Sequence, residues 1–433
     1  MSDTIDRTSD LGTALEPHAA ELAEHADGAR QTKEMRKALG DLSKLPDKDE
    51  DASPENPLEF PAWIMSGAAG AFAQAYSEYL ETPASFLYMS FLTILGNIVS
   101  DKITLQSELK PQPRLFAVIL GQSADERKST AITKALDFFR STMDQGSVNA
   151  CYGVGSAEGL AKALREAPKL VLAIDELKTF VQKTKIEGSV LLPCVNTLFE
   201  LNRFHSMTKT HAITLERAHL SLLAASTLET YQTMFSSAFM DIGFINRLFT
   251  VLDKGKKRFA IPRIIPRDVK DELGKNLQGV LIMAEYLSER EKPYPMPLHP
   301  EALRAFEKWY FETPRSVFAK RLDTYGHRLM PLLAINDQKK DIDLETVQKV
   351  ISLLDYQLAI RQEADPVDAD NKIAALEERI RRALSNGPLF KRDLERKLNK
   401  GRCGTWAWNN AIGNLIKDGG IQFNRKRKVY ESC

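Results

Sequence analysis

The sequence predicts an α/β fold: a three-layer core with a mostly parallel sheet, flanked by helical segments. Three observations predict it. RLFAVILG (114–121), KLVLAIDE (169–176) and AHLSLLAAST (218–227) are near-continuous apolar runs, as expected of strands covered on both faces. Stretches of helical periodicity separate these runs, the alternation that builds a parallel sheet. Finally, 433 residues with 43% apolar content are enough for two or three domains.

Taken in order, residues 1–57 hold 14 acids against 7 bases and few large apolar side chains, so they read as a disordered or loosely helical acidic segment. SGAAGAFAQAYSEYLETP and ASFLYMSFLTILGNIVSD have apolar residues at helical spacing and read as two packed helices, a helical collar over 58–110. The α/β core follows over 111–265. After RLFAVILG come the helix KSTAITKALDFFRSTM, the helix SAEGLAKALREA, the strand KLVLAIDE and a helix around VLLPCVNTLFELN. The strand AHLSLLAAST, a helix from LETYQTMF and the strand RLFTVLD complete it. From about Pro266 the strands stop, and helical periodicity over 266–365 reads as a helical lid. The polar break RQEADPVDADN then leads to a last unit, 371–433. Its order is helix, helix, the helix TWAWNNAIGNLIKDG and the hairpin IQFNRKRKVYE, that of a winged helix-turn-helix.

Composition narrows the function classes. Cys151, Cys194, Cys403 and Cys433 show no C-x-x-C spacing and the seven histidines form no H-x-x-x-H pair, so neither a disulfide framework nor a zinc site is suggested and a reducing, cytoplasmic compartment fits. No signal peptide is recognised, and Phe86 to Val99 is too short to span a bilayer, so a soluble chain is expected.

The segment ILGQSADERKSTAI carries the chemistry. A buried strand ending in Gly121, then Lys128-Ser129 opening a helix, is the order of a phosphate-binding P-loop. Gln122, Ser123, Arg127 and Thr130 would complete the nucleotide contacts. Gly121 to Lys128 is one residue longer than G-x-x-x-x-G-K-[ST], and Arg127 stands where a glycine usually permits positive φ. Asp125 and Glu126 would repel phosphates unless they point outward. An ordinary strand-to-helix loop with a solvated charge run is the alternative.

KLVLAIDE sets Asp175 and Glu176 at the carboxyl end of a buried strand, where open α/β sheets bind ligands. In an ATPase, Asp175 and Ser129 would hold Mg2+ and Glu176 would polarise the attacking water. The alternative is that these carboxylates cap the next helix. Ser226-Thr227 would place a polar side chain between the two previous elements to sense the γ-phosphate, or Thr227 is a helix N-cap. Arg247, after the Gly243 turn, is positioned to reach a neighbouring subunit's γ-phosphate, or forms a structural salt bridge.

With these four elements in order, the chain resembles the YfjI-like P-loop ATPases of phages, plasmids and genomic islands, related to primase-helicase and AAA+ replication helicases. GQSADERKSTA, LAIDE, DIGFINRLF and the lid-like GHRLMPLLAINDQKKDIDLETVQKVISLLDYQ carry the resemblance over roughly 60–360. It implies Lys128 and Ser129 on phosphates and metal, Asp175 and Glu176 as the Walker B pair, Arg247 as an arginine finger and Arg328 as a lid sensor. It also implies ATP and Mg2+ as ligands and a homo-oligomeric, hexameric ring acting as a replicative helicase or replication initiator of a mobile element. No primase-like metal cluster precedes the ATPase segment. A DNA-binding regulator with a degenerate loop is the alternative.

The tail argues independently for DNA. Residues 371–433 hold 15 bases against 6 acids, and Arg425, Lys426, Arg427 and Lys428 fall on the hairpin, where a wing meets phosphates. Thr405, Trp406, Asn409, Asn410 and Asn414 lie on or near the recognition helix, whereas Trp408 and Ile412 read as core. In FHSMTKTHAITLERAH, Lys209 and His211 would track single-stranded DNA in a central channel, or belong to an exposed loop.

Overall fold

The computed structural model describes residues 58–121, 126–144, 146–207, 212–235, 243–255, 258–365, 372–385, 387–424 and 427–432. The acidic segment 1–57 and the linker 366–371 lie outside the described residues.

The first helix, Gly67–Leu80, stops where Glu81 turns into the left-handed region (φ 60) and Pro83 follows. The second, Ala84–Ile98, is apolar all round and buried from Ser85 to Ile98. It packs on the central sheet, and Asn97 donates to the carbonyls of Leu170 (3.1 Å) and His219 (2.9 Å). The collar helices are thus part of the core. Strand β1 (Ile103–Leu105) leads to β2 (Phe116–Gly121), the helix Lys128–Thr142, β3 (Ala150–Cys151) and the helix Ala157–Glu166, which Ser156 caps by accepting from the Gly159 N–H. Strand β4 (Lys169–Ile174) is followed by the helices Leu177–Thr184 and Leu191–Glu200, then by the antiparallel hairpin of β5 (Phe204–Met207) and β6 (Ala212–Leu215). Strand β7 (His219–Thr227), the helix Leu228–Met234 and β8 (Phe249–Leu252) close the α/β region.

Strands β3, β4, β7, β2 and β8 form one parallel sheet in that spatial order. Every residue of β2 is buried, so helices cover both faces and the architecture is three-layered. Strand β7 lies between β2 and β4, the position expected for the Ser-Thr strand.

After β8 the chain runs through the helix Arg267–Arg290, strand β9 (Tyr294–Met296) and the helices Pro300–Glu312, Leu322–Asn336 and Leu344–Ala364. Two expectations need correction. The strands do not stop at Pro266, since β9 pairs in parallel with β1. Nor does the polar break begin at Arg361: the helix runs on to Ala364, and the buried Arg361 guanidinium donates to the carbonyls of Asn246, Leu248, Phe318 and Lys320. That helix also covers the open edge of β8. Gln357 bonds the Thr250 N–H (2.9 Å) and hydroxyl (2.8 Å), while the Tyr356 hydroxyl takes up the Leu252 N–H and C=O. Side chains thereby satisfy an edge strand that would otherwise invite another chain.

The buried residues from Phe60 to Ala364 form one hydrophobic cluster, and those from Leu376 to Tyr430 form a second. The second belongs to the helices Lys372–Ser385, Lys391–Lys397, Lys400–Cys403 and Thr405–Lys417 with a three-stranded sheet of β10 (Leu389–Phe390), β11 (Ile421–Asn424) and β12 (Val429–Ser432). Helix, helix, helix, hairpin is the expected order; β10 and the short helix at Lys400 are additions. No helix among the described residues is long and apolar enough to cross a membrane.

Candidate functional site

The carboxyl edge of the parallel sheet gathers the chemistry. Gly121 at the end of β2 is in register with Thr227 at the end of β7, and Ile174, the last residue of β4, is opposite Ala224. Asp175 and Glu176 therefore leave the sheet beside the start of the helix Lys128–Thr142. The Ser129 hydroxyl donates to Asp175 Oδ1 across 46 positions of sequence. A hydroxyl and a carboxylate on exposed side chains form a hard-oxygen pair, the donor type that suits Mg2+ rather than softer metals. Among the described residues there is no cluster of three His, Cys, Asp or Glu side chains that would form a complete protein cage.

Lys128 is the first residue of its helix and Thr130 is in its first turn. Glu176 occupies the N-cap position of Leu177–Thr184, yet its carboxylate caps nothing, and Asp175 is turned to Ser129 instead. Of the helix-capping alternative, the N-terminal position of Glu176 is observed and a side-chain cap hydrogen bond is not. Thr227 is different: its hydroxyl accepts from the Thr230 N–H (3.1 Å) and bonds the Thr230 hydroxyl (2.8 Å), so here the N-cap alternative is what is observed.

The loop departs from the usual design in two ways. Arg127 adopts φ 47, ψ 39, the left-handed conformation that a glycine would supply without strain. Its guanidinium pairs with Glu81 (3.2 Å), a partner not foreseen for a residue expected to contact phosphate. The backbone N–H groups of Phe259 and Arg258 hold the Glu81 carboxyl below its usual range, helped by Arg127. Glu126 is buried rather than pointing outward. Its carboxylate lies so close to Gly121 that a Cβ there would fall 2.1 Å from Glu126 Oε2. Gln122 and Ser123 lie outside the described residues.

Arg247 and Arg328 are not brought to this edge. Phe249 pairs with Ala117, so Arg247 sits at the amino end of the sheet, and Arg328 donates to the Arg114 carbonyl just before β2. Six strand residues at about 3.3 Å each put both some 20 Å from Lys128 in the same chain. Arg328 is 3% exposed, donates also to the Phe199 carbonyl (2.6 Å) and stacks over the Phe199 ring (4.0 Å). Its assignment as a sensor gives way to a packing role. Arg247 donates to the Gly243 carbonyl (2.8 Å) and lies 3.9 Å from Glu200, which Arg321 also pairs. Glu81 and Glu200 carried no signal in the sequence, because nothing in their spacing marks them, whereas Glu126 was legible as part of the loop's charge run, though its burial was not.

In the C-terminal unit Trp408 is 2% exposed and Trp406 72%, which decides which indole faces out. Thr405 and Asn409 are exposed. Asn410 and Asn414 each make one intramolecular hydrogen bond through the amide nitrogen, to the Trp406 carbonyl (2.8 Å) and to Glu377 (2.6 Å). Arg427 and Lys428 are exposed on the hairpin; Arg425, Lys426, Lys209 and His211 lie outside the described residues.

No family model matches this chain. No curated protein matches it either.

Proposed function

We propose that the chain is an ATP-hydrolysing motor acting on DNA, a replicative helicase or replication initiator of a mobile element. The contact between Ser129 and Asp175 carries the reading: the two residues expected to share Mg2+ meet at the carboxyl edge of a parallel sheet, beside the amino end of a helix that begins with Lys128. Ser129 and Asp175 would hold Mg2+, which when bound would neutralise phosphate charge. Lys128 and the first-turn N–H groups of its helix hold the phosphates. Glu176, uncommitted as a cap, takes the proton of the attacking water. Arg247 lies at the amino end of its own sheet, 3.9 Å from Glu200, so the structural salt bridge accounts for it within one chain, and a role as arginine finger requires a neighbouring subunit.

A second reading is favoured by Glu126, whose inward carboxylate opposes a phosphate beside Gly121: a DNA-binding regulator whose loop binds ATP weakly or not at all. Purified protein should hydrolyse ATP with stimulation by DNA, and Lys128→Ala or Glu176→Gln should abolish turnover. If wild type neither binds nor hydrolyses ATP while still binding DNA, the motor reading is lost and the regulator remains.

A further inference from the structure

The strap that links β8 to the helix Arg267–Arg290 leaves two large apolar side chains in water: Ile261 is 83% exposed and Ile264 89%, whereas Ile265 next to them is buried. One exposed isoleucine is ordinary on a surface, but two so nearly bare on one strap call for a partner. The strap is also basic, since residues 254–267 hold six bases and no acid. Lys256 and Lys257 lie outside the described residues; Lys254, Arg258, Arg263 and Arg267 are exposed. The Arg258 guanidinium is committed to the Ser77 carbonyl, and Arg267 faces Asp271 at 3.9 Å, a solvated pair of little strength. Arg263 stacks on the Phe259 ring, 4.2 Å from its centre. The backbone beneath these side chains is held. The buried Glu81 carboxylate accepts from the N–H groups of Arg258 and Phe259, the Arg263 N–H donates to the Tyr79 carbonyl (2.9 Å), and Pro262 and Pro266 restrict φ on either side. Side chains on a fixed backbone lose less entropy when a ligand arrives. Leu252 at the end of β8 pairs with Leu120, so the strap leaves the sheet at its carboxyl edge, beside Gly121. Glu81 also pairs with Arg127, so strap and loop share one anchor.

We propose that this strap binds single-stranded DNA, with Lys254, Arg263 and Arg267 on its phosphates and Ile261 and Ile264 against its base faces. The proposal rests on reading the chain as acting on DNA, and it adds a contact surface apart from the C-terminal unit. Charge selects a polyanion. The isoleucines select a single strand over a duplex, because only unpaired bases turn their apolar faces outward, whereas a duplex offers an irregular strap little beyond its phosphates. A strand bound here runs beside the edge that carries Lys128 and Asp175. Glu81 then ties the support of the strand to the loop.

The full-length chain is titrated into a fluorescein-labelled oligothymidine of about 20 nucleotides and, separately, into a labelled duplex of the same length, at several salt concentrations, with thermal unfolding measured in parallel. Ile261→Ser combined with Ile264→Ser removes only exposed apolar surface. Its melting temperature should match wild type, oligothymidine affinity should fall about fivefold or more, and duplex affinity should hold within about twofold. Arg263→Gln should shrink the oligothymidine salt slope by about 0.7, a change that the isoleucine variant leaves unmade. Wild-type binding of oligothymidine that both variants leave unchanged, or binding of duplex alone, overturns this surface and spares the DNA reading. Absence of binding to either DNA overturns both. The same proteins are sedimented with phosphatidylserine vesicles: capture that the isoleucine variant abolishes, at unchanged oligothymidine affinity, would make the strap a membrane contact and the proposal wrong.

Discussion

Arg127 is the residue on which the unusual loop can be tested. Its φ of 47 places a non-glycine residue in the left-handed region, at a cost of about 1 kcal/mol, and the ion pair to Glu81 helps to hold it there. Arg127→Gly removes that cost and the ion pair together, so stability to urea should stay within about 1 kcal/mol of wild type. Arg127→Ala keeps the cost and loses the pair. Arg127→Val adds a β-branched side chain to the same conformation and should be the worst of the three by on the order of 1 kcal/mol more. Since about 1.4 kcal/mol is tenfold in an equilibrium constant, ATP affinity by calorimetry should be preserved within about threefold in Arg127→Gly and fall at least about fivefold in Arg127→Val. The opposite order, with glycine abolishing binding and valine sparing it, would show that the guanidinium itself holds phosphate and that its pairing with Glu81 is incidental.

Two buried groups give pH dependence of opposite sign. Burial raises the Asp365 carboxyl to about 6, above its unfolded value, so the folded chain keeps a proton that the unfolded chain releases. Stability from this group is greatest below about pH 4 and is lost as pH rises through 6. Asp365→Asn should remove a loss on the order of 3 kcal/mol between pH 4 and 7.5 in denaturant titrations. Burial, with Arg114 beside it, lowers the His219 imidazole to about 4, so its contribution is full above about pH 6.5 and lost as pH falls toward 4. His219→Gln should flatten that acid limb by a comparable amount, and an unchanged limb would place the titration elsewhere. Arg361→Met strands the four carbonyls that the guanidinium satisfies and should cost about 3 kcal/mol or more by urea unfolding; a cost under about 1 kcal/mol would show that water replaces it.

The elements of the α/β region were legible because their chemistry is local. Apolar runs such as FAVILG must be covered on both faces, and the strand ending in Ser226-Thr227 lies between β2 and β4 as expected. The Ser129 and Asp175 pair, 46 positions apart, was legible because their residue types stand at the helix start and strand end that meet at the carboxyl edge of a parallel sheet. What escaped was non-local. Tyr294–Met296 shows no strand pattern of its own and exists as β9 only because β1 lies alongside. The inward turn of Glu126, the pairing of Arg127 with Glu81 and the burial of Arg328 depend on partners more than 40 residues away or on loop geometry that composition does not encode. The partners of Asn410 and Asn414, the Trp406 carbonyl and Glu377, were likewise not legible from residue type.

The pairing of β1 with β9 has a consequence for synthesis. Ile103 meets Tyr294 in a separate two-stranded sheet, while Gln357 and Tyr356 finish the edge of β8 and Arg361 closes over Leu248, so both sheets wait for residues made long after their first strands. A chain emerging from the ribosome cannot close this core until about residue 361 is free, and contacts of such sequence separation form slowly. During that interval β8 is an open edge. Nascent chains truncated before the helix Leu344–Ala364 are therefore expected to aggregate, while those extended beyond it fold.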